Sequence, residues 1–206
     1  MALTDSQIEL YSRQIILPEL GGIGQRRLLS GSCLLMGDGP AIECAASYLA
    51  GAGVGRVDLG RGARATMGFA PLEDRNPDVA PGTASADALR GAYDVCIDST
   101  SGRASTGRAR LGEIAIRTSA SASEVRVVPA AIGCIDCCPT TLELAGETDP
   151  IDAASAGAMA ALAALLWLGD IPGPTAPKRL HLPRGAATWE RDTLGPTTRC
   201  PRPCRP

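Results

Sequence analysis

The chain has 206 residues with a formal net charge of -2, and 45% of them are hydrophobic, 20% charged and 3% aromatic. These values are typical of a globular domain with a full-sized core, and they argue against a nucleic-acid-binding surface or attraction to anionic membranes. The first twelve residues lack the apolar run of a signal peptide, so we expect a cytoplasmic protein. In that compartment, eight cysteines indicate metal ligands rather than disulfides.

The N-terminal part is predicted to be a helical segment that leads into a buried strand. Thr4 and Gln7 have the spacing of a capping box, which predicts a helix from there to about Gln14. A short second helix is expected at 24–29. A strand beginning at Ser32 follows, then a turn rich in glycine and a helix.

The rest of the chain alternates between strand and helix patterns. The predicted strands are 55–59, 93–99, 114–118 and 124–128, followed by an antiparallel pair at 178–182 and 187–190. The predicted helices are 85–90, 105–113 and 153–168. The last of these is too short to span a bilayer, so no membrane partner is expected. The alternation predicts an α/β fold with a Rossmann-like, mostly parallel sheet, flanking helices, an N-terminal helical segment and C-terminal antiparallel strands.

The turn after the first strand resembles a nucleotide-binding turn but departs from it. Gly37 and Gly39 match the first two glycines of the dinucleotide pattern G-x-G-x-x-G, and they are the candidate cofactor-binding residues. Ile42 stands in place of the third glycine, where it fills space between helix and strand. Asp38 and Glu43 put carboxylates at the helix N-terminus, where they stabilise the helix dipole and repel a phosphate.

Short motifs that run from one end of the chain to the other point to a known family. They are Leu3–Pro18, Gly21–Gln25, Ala50–Arg56, Asn76–Val79, Tyr93–Thr100, Cys134–Cys137 and Cys200–Cys204. In this order the chain resembles the ThiF/MoeB/HesA family, the bacterial relatives of ubiquitin-activating enzymes. The resemblance implies a dimer with a Rossmann-type adenylyltransferase fold. It also implies adenylation of the C-terminal carboxylate of a ubiquitin-like carrier protein or a peptide, followed by attack of sulfur or another nucleophile.

Further positions of the family's ATP site differ here in addition to the turn. The resemblance places Arg61 and Ala63 where the family has ribose-binding aspartates, and Asp58 lies one strand position off that pattern. It places Ser101 where the family has its Mg²⁺-binding aspartate, and a hydroxyl is a poor replacement for that carboxylate. The segment 60–71 stands in place of a long crossover that contacts the nucleotide. We therefore expect a pseudoenzyme that does not adenylate by itself and does not use ATP and Mg²⁺.

Two alternatives remain open. In one, the protein is an active carboxylate-adenylating enzyme with a remodelled site, acting in cofactor, sulfur-transfer or peptide natural-product biosynthesis. Asp98 or Asp58 would then hold the metal. Asp98 lies at the end of a central strand, where α/β sites occur, although it could equally cap the following helix. In the other alternative, the Rossmann domain binds a different small ligand.

Arg13 is the candidate catalytic residue. The resemblance matches it to an arginine that family members insert into the neighbouring subunit's ATP site, where its planar guanidinium neutralises phosphate oxygens. A subunit without its own ATP site can supply such an arginine to an active partner. We therefore expect a homodimer, or a heterodimer with an active ThiF/MoeB-like subunit, that presents a carrier protein or peptide. The other interpretation is an ordinary exposed helix arginine.

Two cysteine pairs are predicted to bind zinc. Cys134 and Cys137 have C-x-x-C spacing, and Cys200 and Cys204 have C-x-x-x-C spacing, which together supply four thiolates for a tetrahedral structural zinc. The resemblance places the family's zinc pairs at the same points, although its second pair is usually C-x-x-C. Cys138 is an additional cysteine, and the alternative to a structural thiol there is sulfur transfer.

These assignments divide one predicted domain, 1–206, into three parts. The parts are an N-terminal helical dimerisation segment (1–31), a nucleotide-type α/β core (32–133) and a zinc-tied C-terminal part (134–206). Cys33, Cys44 and Cys96 lie on apolar elements and are predicted to be small core residues. His181 is the only histidine and is predicted to be structural.

Overall fold

The computed structural model has an eight-stranded mixed sheet at its centre. The structure describes residues 2–60, 71–83, 92–100, 109–138, 142 and 146–195. Within these ranges the helices are α1 (Asp5–Leu10), α2 (Ser12–Ile15), α3 (Gly21–Ser30), α4 (Gly39–Gly51), α5 (Leu72–Arg75) and α6 (Pro150–Leu168), with a 3₁₀ turn at Ile135–Cys137. The strands are β1 (Ser32–Met36), β2 (Arg56–Leu59), β3 (Ala80–Thr83), β4 (Val95–Asp98), β5 (Gly112–Thr118), β6 (Ala122–Pro129), β7 (Lys178–Pro183) and β8 (Glu190–Thr193).

The strand order in the sheet is β3-β2-β1-β4-β5-β6-β7-β8. The strands from β3 to β5 pair in parallel, whereas β6, β7 and β8 pair antiparallel. This arrangement confirms the predicted α/β class, with a mostly parallel sheet and antiparallel strands at the C-terminal end. Because β1 and β4 are neighbours, the turns that follow them lie side by side at the carboxyl end of the sheet.

The main core lies between the sheet and the helices α4 and α6. Side chains such as Cys33, Ile97 and Ile114 point from the strands into this core, and their neighbours along each strand point to the opposite face, as the two-residue period of a strand requires. Cys96 on that opposite face is also buried, and Cys44 is partly buried. The prediction of core cysteines is therefore confirmed for Cys33 and Cys96 and partly for Cys44.

The helix α6 is longer than the sequence pattern indicates. It begins at Pro150, three residues before the predicted start, because Asp149 caps it by accepting a hydrogen bond from the backbone N–H of Ile151 at 2.8 Å. At 19 residues it is long and apolar enough to cross a membrane by length and composition, so the prediction that it is too short is wrong. Core helices pass the same test, and α6 packs against α4, β5 and β6.

The first predicted helix is divided in two at Tyr11. Thr4 caps α1 in the predicted capping box, with the Thr4 hydroxyl accepting from the N–H of Gln7 and the Gln7 side chain accepting from the N–H of Thr4. The single helix to Gln14 is interrupted because the backbone of Tyr11 leaves helical geometry (φ -100°, ψ 14°) while its side chain is buried. The helix predicted at 24–29 is also longer, spanning α3.

The segment before β5 is not the predicted helix. Residues 105–108 lie outside the described ranges, residues 109–111 are not helical, and Gly112 already belongs to β5. Gly112 lies directly beneath the indole ring of Trp167, where a Cβ atom would collide with the ring. A glycine at this point therefore lets the strand pass under α6, a packing requirement that local helix propensity does not reveal.

Two strands differ from the sequence prediction at the sheet edges. β3 was not predicted. It is an edge strand, where the missing backbone N–H of Pro81 is tolerated. β8 spans Glu190–Thr193 instead of 187–190. The helix predicted at 85–90 lies outside the described residues.

Candidate functional site

The turn after β1 keeps the backbone of a nucleotide-binding turn. Gly37 and Gly39 both have positive φ, +104° and +75°, a conformation that L-residues with side chains rarely adopt. A Cβ atom on Gly37 would collide with the hydroxyl of Ser99, which follows β4. No atom of the described residues would lie within 4 Å of a Cβ at Gly39. The turn therefore has the predicted strand–turn–helix geometry.

The helix that follows this turn offers few groups to a phosphate. Asp38 is the N-cap of α4 and is exposed, and its side chain makes no capping hydrogen bond. Pro40 in the first turn has no N–H to donate. Ile42 is completely buried in the main core, so its side chain occupies the space between helix and sheet. Phosphate binding at a helix N-terminus needs free N–H groups without a competing negative charge, and both conditions are weakened here.

Asp98, the last residue of β4, is the buried carboxylate nearest to this turn. Its Oδ1 accepts hydrogen bonds from the backbone N–H and the hydroxyl of Thr100, both at 2.7 Å, while Oδ2 has no hydrogen-bond partner among the described residues. Burial raises the pKa of Asp98, and the hydrogen bonds from Thr100 and the charges of Arg117 and Arg126 offset only part of that increase. The bonds to Thr100 close a turn at the end of β4. No helix that Asp98 could cap follows before β5 in the described part of the chain, so the capping interpretation stays a prediction.

Two buried arginines lie beside Asp98, and the sequence reasoning missed both. Arg117 at the end of β5 donates to the carbonyl oxygens of Asp98 at 3.2 Å and Ile116 at 2.7 Å. Arg126 on β6 lies 3.1 Å from a carboxylate oxygen of Glu124, and burial lowers its pKa. The available signal was the alternation of charged and apolar residues along β5 and β6, which puts the charged ones on one face.

Asp58 is held inside the sheet rather than at its carboxyl edge. Its Oδ2 accepts from the hydroxyl of Tyr93 at 2.5 Å and from the guanidinium of Arg56 at 2.6 Å. Its Oδ1 packs so closely against Gly82 of β3 that a Cβ there would collide with it. Asp58 therefore links β2 to its neighbours, which argues against recruiting it for a ribose or a metal. Arg61, Ala63 and Ser101 lie outside the described residues.

Arg13 lies on the exposed side of α2. It makes no ion pair or hydrogen bond within the ranges that the structure describes. The apolar side chains around it are also exposed, namely Ile8, Leu10, Ile16 and Leu17. An exposed guanidinium within an apolar surface is the arrangement that insertion into a partner subunit would need, because the apolar groups can bury against the partner.

Tyr11 fixes the segment that carries Arg13. Its hydroxyl donates to a carboxylate oxygen of Asp78 at 2.9 Å and accepts from the side-chain amide of Asn76 at 2.9 Å. Gly53 lies against the phenol ring, where a Cβ would come within 2.6 Å of it. These contacts join α1 and α2 to the end of α4 and to the loop before β3, so α2 has a defined position on the core.

We expect Tyr11→Phe to reduce the stability of the folded chain by about 1–2 kcal/mol, because Asn76 and Asp78 lose their buried partner. Burial, with a smaller contribution from Asp78, raises the pKa of Tyr11 to about 12 from 10.0. The native state thus retains a proton that the unfolded state loses above pH 10. The stabilisation is therefore complete below pH 10 and is lost as the pH rises through 12.

Urea unfolding of both proteins between pH 7 and pH 12 measures this contribution. Tyr93, whose pKa is also raised to about 12 by burial, is present in both proteins, so the comparison isolates Tyr11. The difference between native protein and Tyr11→Phe should shrink above pH 10. An equal difference at all pH values would contradict the expected titration.

The first cysteine pair has the spacing of metal ligands in space as well as in sequence. The Sγ atoms of Cys134 and Cys137 are 3.8 Å apart, and both residues are buried at the 3₁₀ turn. Two thiolates bound at about 2.3 Å to a tetrahedral zinc lie about 3.8 Å apart, so the pair fits. Cys200 and Cys204 lie outside the described residues, and among those described no group of three potential ligands occurs.

Cys138 is not an activated thiol. It is buried, and burial raises its pKa, with only partial opposition from the charge of Arg126. A raised pKa leaves less of the thiolate that reacts with sulfur donors, which supports the structural interpretation. His181 lies with Nδ1 3.7 Å from a carboxylate oxygen of Glu190 across the strand pair β7–β8, in keeping with a structural role.

Comparison with known proteins gives local sequence matches and an overall structural match. The heterocyst protein HesA of Trichormus variabilis is 46% identical over 77 residues, which are 37% of this chain and 27% of HesA. The adenylyltransferase and sulfurtransferase MOCS3 of Sus scrofa is 52% identical over 58 residues, 28% of this chain and 13% of MOCS3. The matches therefore span about a quarter and an eighth of these two relatives. No protein-family model matches the chain.

Among solved structures, E. coli MccB with MccA-N7isoAsn superposes with a TM-score of 0.69 at 16% identity, over 93% of this chain and 74% of that one. At this identity the likeness concerns the fold. It covers more of the chain than either sequence match does.

Proposed function

The chain has a ThiF/MoeB-like adenylyltransferase fold, and from this premise we propose that it is a non-adenylating subunit that acts together with an active relative. One observation carries the proposal: the turn at Gly37 and Gly39 keeps its backbone while Pro40, Ile42 and Asp38 remove or oppose phosphate binding. This combination supports a fold that has been kept without its nucleotide contacts.

In this proposal Arg13 is the group that the chain contributes to the reaction. In the active partner, a carboxylate oxygen of the substrate attacks the α-phosphorus of ATP, and pyrophosphate leaves. Negative charge on the phosphate oxygens must be stabilised during this step. Arg13 is exposed among apolar side chains, and α2 is fixed by Tyr11, so its guanidinium can reach across a dimer interface and neutralise that charge.

The substrate class proposed for the complex is a peptide or a ubiquitin-like carrier protein that presents a carboxylate. MccB has been solved together with MccA-N7isoAsn, and MOCS3 is an adenylyltransferase and sulfurtransferase. The structural likeness to MccB favours a peptide as the substrate. The sequence match to MOCS3 favours a carrier protein whose adenylate receives sulfur. The dimer is either a heterodimer with the active subunit or a homodimer.

Zinc is the proposed structural cofactor. The distance between the Sγ atoms of Cys134 and Cys137 fits a shared zinc, and Cys200 and Cys204 complete the donor set. The metal would supply no chemistry to the reaction, since four thiolates leave no open position. It would hold the C-terminal tail against the end of β6. Such a site needs reduced thiols, so we place the protein in the cytoplasm.

A specific observation favours a second candidate, an active adenylating enzyme with a remodelled site. Asp98 Oδ2 is buried without a hydrogen-bond partner among the described residues, and an unpaired buried carboxylate oxygen is costly unless a ligand or a metal completes it. In this alternative Asp98 binds Mg²⁺ in place of the family's aspartate, and Arg117 neutralises charge nearby.

Isothermal titration of the full chain with ATP and Mg²⁺ separates the two candidates. We expect no saturable binding at millimolar ATP and no ATP–pyrophosphate exchange by the chain alone. As a positive control, an active ThiF/MoeB-like enzyme is titrated under the same conditions. Saturable ATP binding that is lost in Asp98→Asn but not in Asp94→Asn would overturn the proposal in favour of the remodelled enzyme.

A further inference from the structure

A groove lies on the side of the sheet that carries α6, away from the turn at Gly37. Its volume is about 360 Å³, which falls within the range of small-molecule sites. Its main apolar contacts are Met159, Leu162 and Leu166 of α6, Val127 and Leu180 of β6 and β7, and Pro174 of the connecting segment. The groove is therefore walled by a helix on one side and floored by two strands.

The helix that forms this wall has more apolar surface than the fold buries. In its most apolar 18-residue window only 44% of the residues are buried, and Leu162 is 49% exposed at the edge of the groove. The opposite wall is held in place, because the indole N–H of Trp167 donates to the carbonyl oxygen of Pro174 at 3.3 Å. The groove is thus a formed cleft with an apolar lining.

The polar end of the groove is positively charged. Lys178 and Arg191 both line it. Leu180 lies two residues after Lys178 in β7 and is the cross-strand partner of Arg191. Lys178 and Arg191 therefore lie on the same face of the sheet. The Nζ atom of Lys178 donates to the hydroxyl of Thr193 at 2.6 Å. Neither cation has a carboxylate partner within the described part of the chain.

The acidic residues of β8 cannot neutralise these cations. Asp192 and Glu190 alternate with Arg191 along the strand and point to the opposite face of the sheet. There Asp192 pairs with Arg179 at 2.5 Å, and Glu190 lies 3.7 Å from His181. The groove therefore combines an apolar body with two positive charges at one end.

We propose that this groove binds a medium-chain monocarboxylic acid, with the acyl chain between α6 and the strands and the carboxylate between Lys178 and Arg191. A volume of 360 Å³ accommodates about a dozen groups of the size of a water molecule or a methylene. The carboxylate forms charge-assisted hydrogen bonds with the two cations. Asp98 follows Ile97, which faces the core, and so points to the opposite face of the sheet, which makes this groove separate from the candidate nucleotide site.

Isothermal titration of the full chain with decanoate, below its micellar concentration, tests this site. We expect saturable binding of one decanoate per chain. In Lys178→Gln/Arg191→Gln the affinity should fall at least tenfold, because the carboxylate loses both partners. Decanol, which has the same chain without the charge, should bind native protein and double variant equally.

Arg179→Gln is the matched control, since Arg179 is the next residue in β7 but faces the other side and pairs with Asp192. It should leave decanoate affinity unchanged. Leu162→Glu gives a second test at a half-exposed position, where a carboxylate in the groove should abolish binding without unfolding the chain. No saturable binding to the native protein, or an equal loss in Arg179→Gln, overturns the proposal.

Discussion

Arg13→Ala is expected to lower the ATP–pyrophosphate exchange rate of the complex between this chain and its active partner by at least a hundredfold. In the proposed complex the partner binds ATP, and Arg13 supplies a charge whose contact with the phosphate oxygens strengthens as these become more negative. Removing one such donor typically costs a factor of 10²–10³. Arg13→Lys keeps the charge but not the two-pronged geometry, so it should recover only part of the rate.

The control for this experiment is an exposed arginine far from α2. Arg184 donates to the carbonyl oxygen of Ala120 at 3.2 Å, and Arg184→Ala should leave exchange unchanged. Gel filtration distinguishes a catalytic effect from loss of the dimer, because Arg13→Ala should retain the complex while Ile16→Asp in the exposed apolar surface should dissociate it. Full exchange by an intact complex containing Arg13→Ala would exclude a role in trans.

The N-terminal segment shows how far local sequence reasoning extends. The capping box at Thr4 and Gln7 is a short-range device, and the structure contains both of its hydrogen bonds. The break at Tyr11 depends on Asn76 and Asp78, more than sixty residues away. Local patterns therefore predict where the helix begins, whereas a distant hydrogen-bond network decides where it is interrupted.

The strands of the sheet lead to the same conclusion as the N-terminal helices. The alternation of strands and helices was sufficient to predict a mostly parallel sheet. It was insufficient to predict β3, whose Pro81 is tolerated because the strand lies at the sheet edge, or the start of β5 at Gly112 beneath Trp167. Both depend on which element lies next to the strand, and no local propensity contains that information.

The candidate site was predictable where it depends on backbone geometry. The turn at Gly37 and Gly39 and the packing of Ile42 follow from residue types at fixed spacing. The environment of Asp98 was not predictable, because Arg117 and Arg126 approach it from two other strands. Their proximity results from the register of the sheet, which pairs Asp98 with Ala115 and Ala115 with Arg126.

Cys134→Ser is expected to remove zinc from the chain and to lower its melting temperature by about 10 °C. For a chain of this size 1 kcal/mol of stability shifts the melting temperature by about 2–4 °C, so a 10 °C shift corresponds to a loss of about 3–5 kcal/mol. This is a part of the roughly 10–16 kcal/mol that a structural zinc contributes in small domains. Elemental analysis should find one zinc per native chain and none in the variant. Differential scanning calorimetry measures the shift.

Cys138→Ser separates loss of metal from loss of a buried thiol, since Cys138 is as buried as Cys134 but is outside the proposed donor set. It should retain one zinc per chain. Treatment with a chelator should lower the melting temperature of native protein and Cys138→Ser, and leave that of Cys134→Ser unchanged, because only the first two have metal to lose. Native protein that contains no zinc when isolated without chelators would eliminate the metal site and leave the 3.8 Å approach of Cys134 and Cys137 as packing alone.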